Sequence, residues 1–130
     1  MKYLNKIILG KKILDFLYNK DISDISALEC MPNLEYLGIS ENNISDISVV
    51  SKMVHLNNLD ARFNNITDIS PISELVEMRI LSIGYNGVQD YRPLAKLVNL
   101  ERLWFEGAYI DDFSNFVDIL NGKDLGTYIK

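Results

Sequence analysis

The chain repeats itself every 22 residues, four times in register. Leu34, Leu56, Met78 and Leu100 share one column, Leu37, Leu59, Leu81 and Leu103 a second, and Ile39, Ala61, Ile83 and Phe105 a third. Asn42, Asn64, Asn86 and Ala108 follow, then Ile44, Ile66, Val88 and Ile110, then Asp46, Asp68, Asp90 and Asp112. A unit this short cannot enclose its own apolar side chains, so the units must stack and share one elongated core.

Leu37 and Ile39 stand two apart, as do Leu59 and Ala61, or Leu103 and Phe105. Spacing of two puts both on one side of an extended segment. The intervening Gly38, Asp60, Ser82 and Trp104 then face the other way, on a sheet of strands stacked about 4.8 Å apart. After each strand the chain must turn without stranding polar backbone inside. The asparagine column supplies two donors and an acceptor per coil for that purpose. Ala108 lacks the amide, so the ladder is expected to stop or distort there. Opposite the sheet, Leu28 with Met31, Val50 with Met53, Ile72 with Leu75 and Leu94 with Leu97 have the spacing of short helical or 3₁₀ turns. Ser70 before Pro71 reads as a cap with proline at the first helical position, and the aspartates Asp24 to Asp112 precede these turns, at their positive ends.

The columns spell L-x-x-L-x-L-x-x-N-x-I-x-D-I, and with them the chain resembles leucine-rich repeat proteins of the 22-residue internalin-like subclass, over residues 12 to 128. The resemblance implies an α/β solenoid: an arc with a parallel concave β-sheet, a short helical or 3₁₀ convex side and terminal caps. It implies a binding surface and names no partner.

The expected organisation is one domain, 1–130, with an N-terminal cap over 1–21, repeats over 22–112 and a C-terminal cap over 113–130. In the first segment the 22-residue strand columns fail at Lys12 and Asp15. Leu4, Ile7, Ile8, Leu14 and Leu17 fit an amphipathic helix interrupted by Gly10, the preferred reading, with a shifted strand around Leu14 to Tyr18 as the alternative. At the other end Ser114 is placed to cap a helix carrying Phe116, Val117, Ile119 and Leu120, closed by Asn121 and Gly122. Leu125 returns to the strand column, with Thr127 and Tyr128 in a final edge strand.

Charge excludes some functions. Residues 1–20 hold five lysines and one aspartate, while the rest of the chain carries 8 basic and 17 acidic residues. An acidic body repels phosphate, so direct nucleic-acid binding is not expected. No run is long enough for a membrane helix, and Ile7 to Leu9 is cut off by Gly10, Lys11 and Lys12 too soon for a signal sequence. With Met1 as the native start, the expectation is a cytoplasmic protein that does not bind membranes. Cys30 is the lone cysteine, which fits a reducing compartment. No cofactor or metal is expected, because adjacent coils offer one carboxylate each and calcium takes six to eight oxygens. Nor does a catalytic set emerge: His55 is the single histidine, in a loop column, and Asp111 and Asp112 are sequence neighbours that rarely face one site.

What varies between repeats is the outward face. Its columns read Tyr36, Asn58, Ile80 and Arg102; Gly38, Asp60, Ser82 and Trp104; Ser40, Arg62, Gly84 and Glu106; Glu41, Phe63, Tyr85 and Gly107. Aromatics and arginine dominate binding energy at protein interfaces. Trp104, Tyr85, Arg62, Arg102, Phe63, Tyr36, Asp60 and Glu106 are therefore the candidate contacts for a protein partner, with Gly38 and Gly84 read as hollows beside them. Aromatics that only cover neighbouring strands are the alternative. The expected protein is a non-enzymatic intracellular interaction module, a monomer rather than a dimer, acting as a small acidic inhibitor of antitoxin, immunity or phage anti-defence type. A fragment of a bacterial surface adhesin of internalin type is the second reading.

Overall fold

The computed structural model describes residues 12–15, 17–108 and 118–120. Five short strands form one parallel sheet in chain order: β1 (Ile13–Leu14), β2 (Tyr36–Gly38), β3 (Asn58–Asp60), β4 (Ile80–Ser82) and β5 (Arg102–Trp104). The register follows the 22-residue period from β2 onward, with Leu37 beside Leu59, Leu59 beside Leu81 and Leu81 beside Leu103. Each coil then returns through a 3₁₀ turn, at Ser26–Cys30, Ser48–Lys52, Ser70–Ile72 and Arg92–Lys96. The solenoid expected from the repeat is the observed fold.

The apolar columns meet between sheet and turns. Leu34, Leu37, Ile39, Leu56, Leu59, Ala61, Met78 and Leu81 are fully buried, as are Ile44, Ile66, Val50 and Ile72. In the last described coil the core residues are bulkier: Tyr91 replaces the Ile47 and Ile69 of earlier coils, and its ring meets Phe105 edge-on at 6.3 Å. Burial pushes the Tyr91 hydroxyl pKa up.

The turn after each strand depends on one left-handed residue followed by asparagine. Glu41, Phe63 and Tyr85 have φ of 56°, 55° and 53°, a region that costs an L-residue roughly 1–3 kcal/mol unless its surroundings hold it there. The asparagine does the holding. Asn64 Nδ2 donates to the carbonyls of Ile39, Ala61 and Arg62, and its Oδ1 accepts from Ile44 N at 3.0 Å. Asn42 and Asn86 repeat the pattern one coil to either side. Ala108 has no amide to continue it.

Two local expectations are corrected. Leu14 lies in a strand, not in a helix: β1 pairs with β2 with Leu14 beside Leu37, 23 residues on. Leu17 offers its carbonyl to Asn42 as Ile39 does to Asn64, an offset of 22. The first coil therefore carries one extra residue between Leu14 and Leu17, which is why the 22-residue columns landed on Lys12 and Asp15. The reason for a strand is at the edge of β2, whose approach offers the N–H groups of Glu35 and Tyr36, both satisfied by Lys12 O; without β1 they would lack partners. Residues 1–11 lie outside the described residues.

The second correction concerns the caps. Ser70 is already inside its 3₁₀ turn, and the cap position before it is Ile69, whose side chain makes no capping bond. The aspartates act instead: Asp24, Asp46, Asp68 and Asp90 each accept from the backbone N–H two residues on, at 2.8 to 3.0 Å. These bonds lower the carboxyl pKa at Asp24, Asp46 and Asp68, and the Arg92 guanidinium takes Asp90 down to about 2. Asp111 and Asp112 and the expected Ser114 cap lie outside the described residues, as do Phe116, Val117 and the Leu125 strand. Asp118 and Ile119 are helical, and Leu120 is buried against the core.

Candidate protein-docking face

The sheet turns the first and third residues of β2 to β5 outward, in the columns of Tyr36 and Gly38, and the residues on this side, with the turns that follow, form three groups. At the β1–β2 end, the Tyr36 hydroxyl donates to Asp15 Oδ1 at 3.1 Å. Burial, then the carboxylate, pushes the Tyr36 pKa up to about 12. Gly38 is not a hollow: a Cβ there would stand 2.5 Å from Asp15 Oδ1 and 3.3 Å from the Tyr36 hydroxyl. The missing side chain lets Tyr36 and Asp15 meet above the strand. Asp15, a partner in this arrangement, carried no signal in sequence because the extra residue shifts it out of register.

In the middle, Arg62 grips Asp60 two residues earlier on the same face, Nε to Oδ1 at 2.9 Å and Nη2 to Oδ2 at 2.8 Å. This bond, ahead of the opposing effect of burial, raises the Arg62 pKa. Ser82 and Gly84 follow on β4 and its continuation, both buried. Gly84 is not a hollow either, since a Cβ on it would meet Glu106 Oε2 at 2.8 Å and the Glu106 backbone at 2.9 and 3.0 Å. Glu106 lies over it, and Glu106 Oε2 is buried without a hydrogen-bond partner. Trp104, half-buried, stands beside Ser82 on β5, and Arg102 is exposed at the start of that strand.

The third group runs along the turns. Phe63 and Tyr85 stack at 4.4 Å between centroids and 6° between planes, while the Tyr85 ring fills the space over Gly107, 2.8 Å from where its Cβ would be. These rings do cover their neighbours, as the alternative reading held, yet 46% of Phe63 and 50% of Tyr85 remain exposed. The eight sequence candidates thus lie on one side of the coil: Tyr36 pairs with Asp15, Asp60 with Arg62 and Phe63 with Tyr85, and Trp104 and Glu106 share β5 and its continuation.

A feature missed in sequence lies on the flank, where Val54, Val76 and Val98 recur at the 22-residue step and are 54%, 46% and 65% exposed. Their register was visible; only the structure shows that this column faces outward. His55, near them, contacts Glu77 through Nδ1 at 3.2 Å on the surface. Among the described residues no cluster of His, Cys, Asp and Glu is arranged to hold a metal ion, and no helix is long and apolar enough to cross a membrane.

This coil, with its asparagine ladder and variable sheet face, defines a leucine-rich repeat protein. A family model for leucine-rich repeats in two copies matches residues 32–74. The chain is similar to an internalin (inlF) of Listeria monocytogenes, with 30% identity, a TM-score of 0.81, and 88% of this chain and 34% of that one covered. Similarity to internalin C2 of the same bacterium reaches 34% identity and a TM-score of 0.66, over 71% of this chain and 42% of that one. A leucine-rich repeat protein of Leptospira interrogans shares the fold at 20% identity and a TM-score of 0.79, over 93% and 32% of the two chains. The chain therefore spans less than half the length of each of these structures. No curated protein matches its sequence. Leucine-rich repeat domains serve in general as surfaces for protein–protein interaction.

Proposed function

We propose that the chain is a non-enzymatic module that docks a protein partner along its concave sheet. The observation that carries this reading is the contrast between columns: the buried ones repeat an aliphatic residue or asparagine in coil after coil, while the outward ones place Tyr36, Arg62, and Trp104 with Glu106 in three different coils. A face needed only for solubility would be served by any polar residues, whereas half-buried aromatics and arginines supply area and directed hydrogen bonds to a partner. Affinity capture from the native cell with wild type and Trp104→Ala tests it. A protein retained by wild type and lost by a variant of unchanged melting temperature supports the reading; a Trp104→Ala variant that unfolds makes Trp104 a core residue and removes the main contact.

Two settings suit such a module. An acidic body, net −5 over the whole chain, favours a small intracellular inhibitor that occludes a basic surface, with electrostatic attraction speeding the encounter. The internalin similarity, confined to about a third of that relative's length, favours the recognition segment of a longer bacterial surface protein. Immunoblotting of fractionated native cells separates them: a band near 14.9 kDa in the cytosol supports the inhibitor, and a larger protein released from the cell surface supports the adhesin.

A further inference from the structure

The stretch of the docking face around β4 is a slot occupied by Glu106, which lies over Gly84. Its floor is Ser82 and Gly84, small and buried. One wall is β3 and its continuation, where Asp60 and Arg62 hold each other; the other is β5 and its continuation, with Trp104 and Glu106. The walls stand two strand spacings apart, about 10 Å between backbones, which is the width of one inserted side chain.

The charges in this slot do not balance. Asp60 is matched by Arg62 through two hydrogen bonds. Glu106 acts on the same guanidinium only through space: it folds down onto Gly84, and its Oε2 loses water there without gaining a hydrogen-bond donor. A carboxylate oxygen in that position has lost its hydration with nothing returned, so a conformation that gives it a donor is favoured whenever one arrives. Leaving Gly84 would also uncover the floor beside Trp104. Of the donors a protein can offer, a lysine or arginine side chain gains most, because it meets the carboxylate as a charge-assisted bond and an indole face at the same time.

We propose that the slot takes one lysine or arginine side chain of the protein partner, with Glu106 swinging off Gly84 to bind its cationic group and Trp104 packing along it. The proposal rests on the concave-face reading and specifies the chemistry recognised there: a basic, extended segment laid across β3 to β5. Glu106 is the specificity-determining residue, and Trp104 the packing surface.

Panning a short random-peptide display library against the full chain tests it, with binding read by fluorescence of Trp104, the only tryptophan. Peptides that enrich should share a lysine or arginine at one position and change the Trp104 emission. Replacing that residue by norleucine in the best peptide should weaken binding at least about tenfold, as should Glu106→Gln in the protein, and the variant should lose most of the salt dependence. The norleucine arm leaves the protein untouched and so stands even if Glu106→Gln alters folding. Peptides that change Trp104 emission but tolerate both norleucine and Glu106→Gln overturn the cation slot and leave the concave-face reading intact. Peptides that bind with Trp104 emission unchanged, or no enrichment over an unrelated repeat protein, overturn both.

Discussion

The turn ladder and the docking face occupy the same coils and obey opposite rules. In the ladder, Asn42, Asn64 and Asn86 are the same residue making the same bonds in successive coils, to carbonyls of their own coil and of the one before. On the docking face no column repeats a residue, and the contacts are between side chains and dissimilar: a hydroxyl to a carboxylate at Tyr36, a bidentate pair at Asp60 and Arg62, stacked rings at Phe63 and Tyr85. A position whose bonds are made to backbone groups that recur in every coil must be the same residue in every coil, so it is fixed by stacking. A position whose partner is another side chain, or partly solvent, is released from that demand and is open to selection by a partner.

The largest expected effect lies in the ladder. Asn64→Ala removes four hydrogen bonds to backbone groups inside the coil, and each buried group left without a partner costs about 1–3 kcal/mol. Denaturant unfolding should therefore show a loss of about 4 kcal/mol or more. Leu59→Ala, at a fully buried column, should cost about 3 kcal/mol. Arg102→Ala on the exposed face should stay within about 0.5 kcal/mol. If Arg102→Ala destabilises as much as Asn64→Ala, the division between scaffold and docking columns is broken.

Next comes Trp104→Ala. Half-buried on one face, it should shift the unfolding midpoint by about 1 kcal/mol, well below the ladder variants, while weakening capture of the partner at least about tenfold. A stability loss as large as that of Asn64→Ala would move Trp104 into the scaffold.

Acid should act on the scaffold through its aspartate column. The folded-state pKa values of Asp24, Asp46, Asp68 and Asp90 are depressed below the ordinary 3.8. A depressed carboxyl pKa contributes stability that is present above 3.8 and lost as pH falls through the folded value, which for Asp90 is about 2. The melting temperature should therefore decline between about pH 5 and pH 2. Asp68→Asn keeps an acceptor for the Ser70 N–H and should melt near wild type at pH 7, with a shallower decline in acid. An identical acid profile in the variant would show that the column contributes nothing to the pH dependence.

The period legible in sequence reflects stacking, and so the strands, the asparagine ladder and the core columns were all readable from Leu34, Leu37, Asn42 and their equivalents. The docking face was readable as a set of positions, because the alternation that buries Leu59 also turns Asp60 outward. Its contacts were not. Gly38 and Gly84 read as hollows because a missing side chain says nothing about which neighbour leans into the space; Tyr36 with Asp15 fills one and Glu106 the other. β1 was obscured by a single extra residue, since a one-residue shift moves every later side chain to the opposite face. The cap was assigned to Ser70 rather than Asp68 because both residue types cap turns, and only geometry shows which oxygen reaches the N–H.

The smallest effect tests whether the left-handed column belongs to the scaffold by backbone alone. Glu41, Phe63 and Tyr85 all adopt φ near +55°, and Gly107 takes 71° at the same place. Glycine carries no steric penalty in this region but loses more entropy on folding. At Glu41, which is exposed, the two terms should nearly cancel, so Glu41→Gly is expected within about 0.5 kcal/mol of wild type. At Tyr85 the same change also removes the stack with Phe63 and the cover over Gly107, and should cost about 1 kcal/mol more, as aromatic pairs contribute roughly 0.5–1.5 kcal/mol beyond their buried area. A double-mutant cycle of Phe63→Ala and Tyr85→Ala separates the ring term from the backbone term. A coupling near zero would mean the rings stand side by side without stabilising the coil, which would return both to the docking face as contacts held ready for a partner.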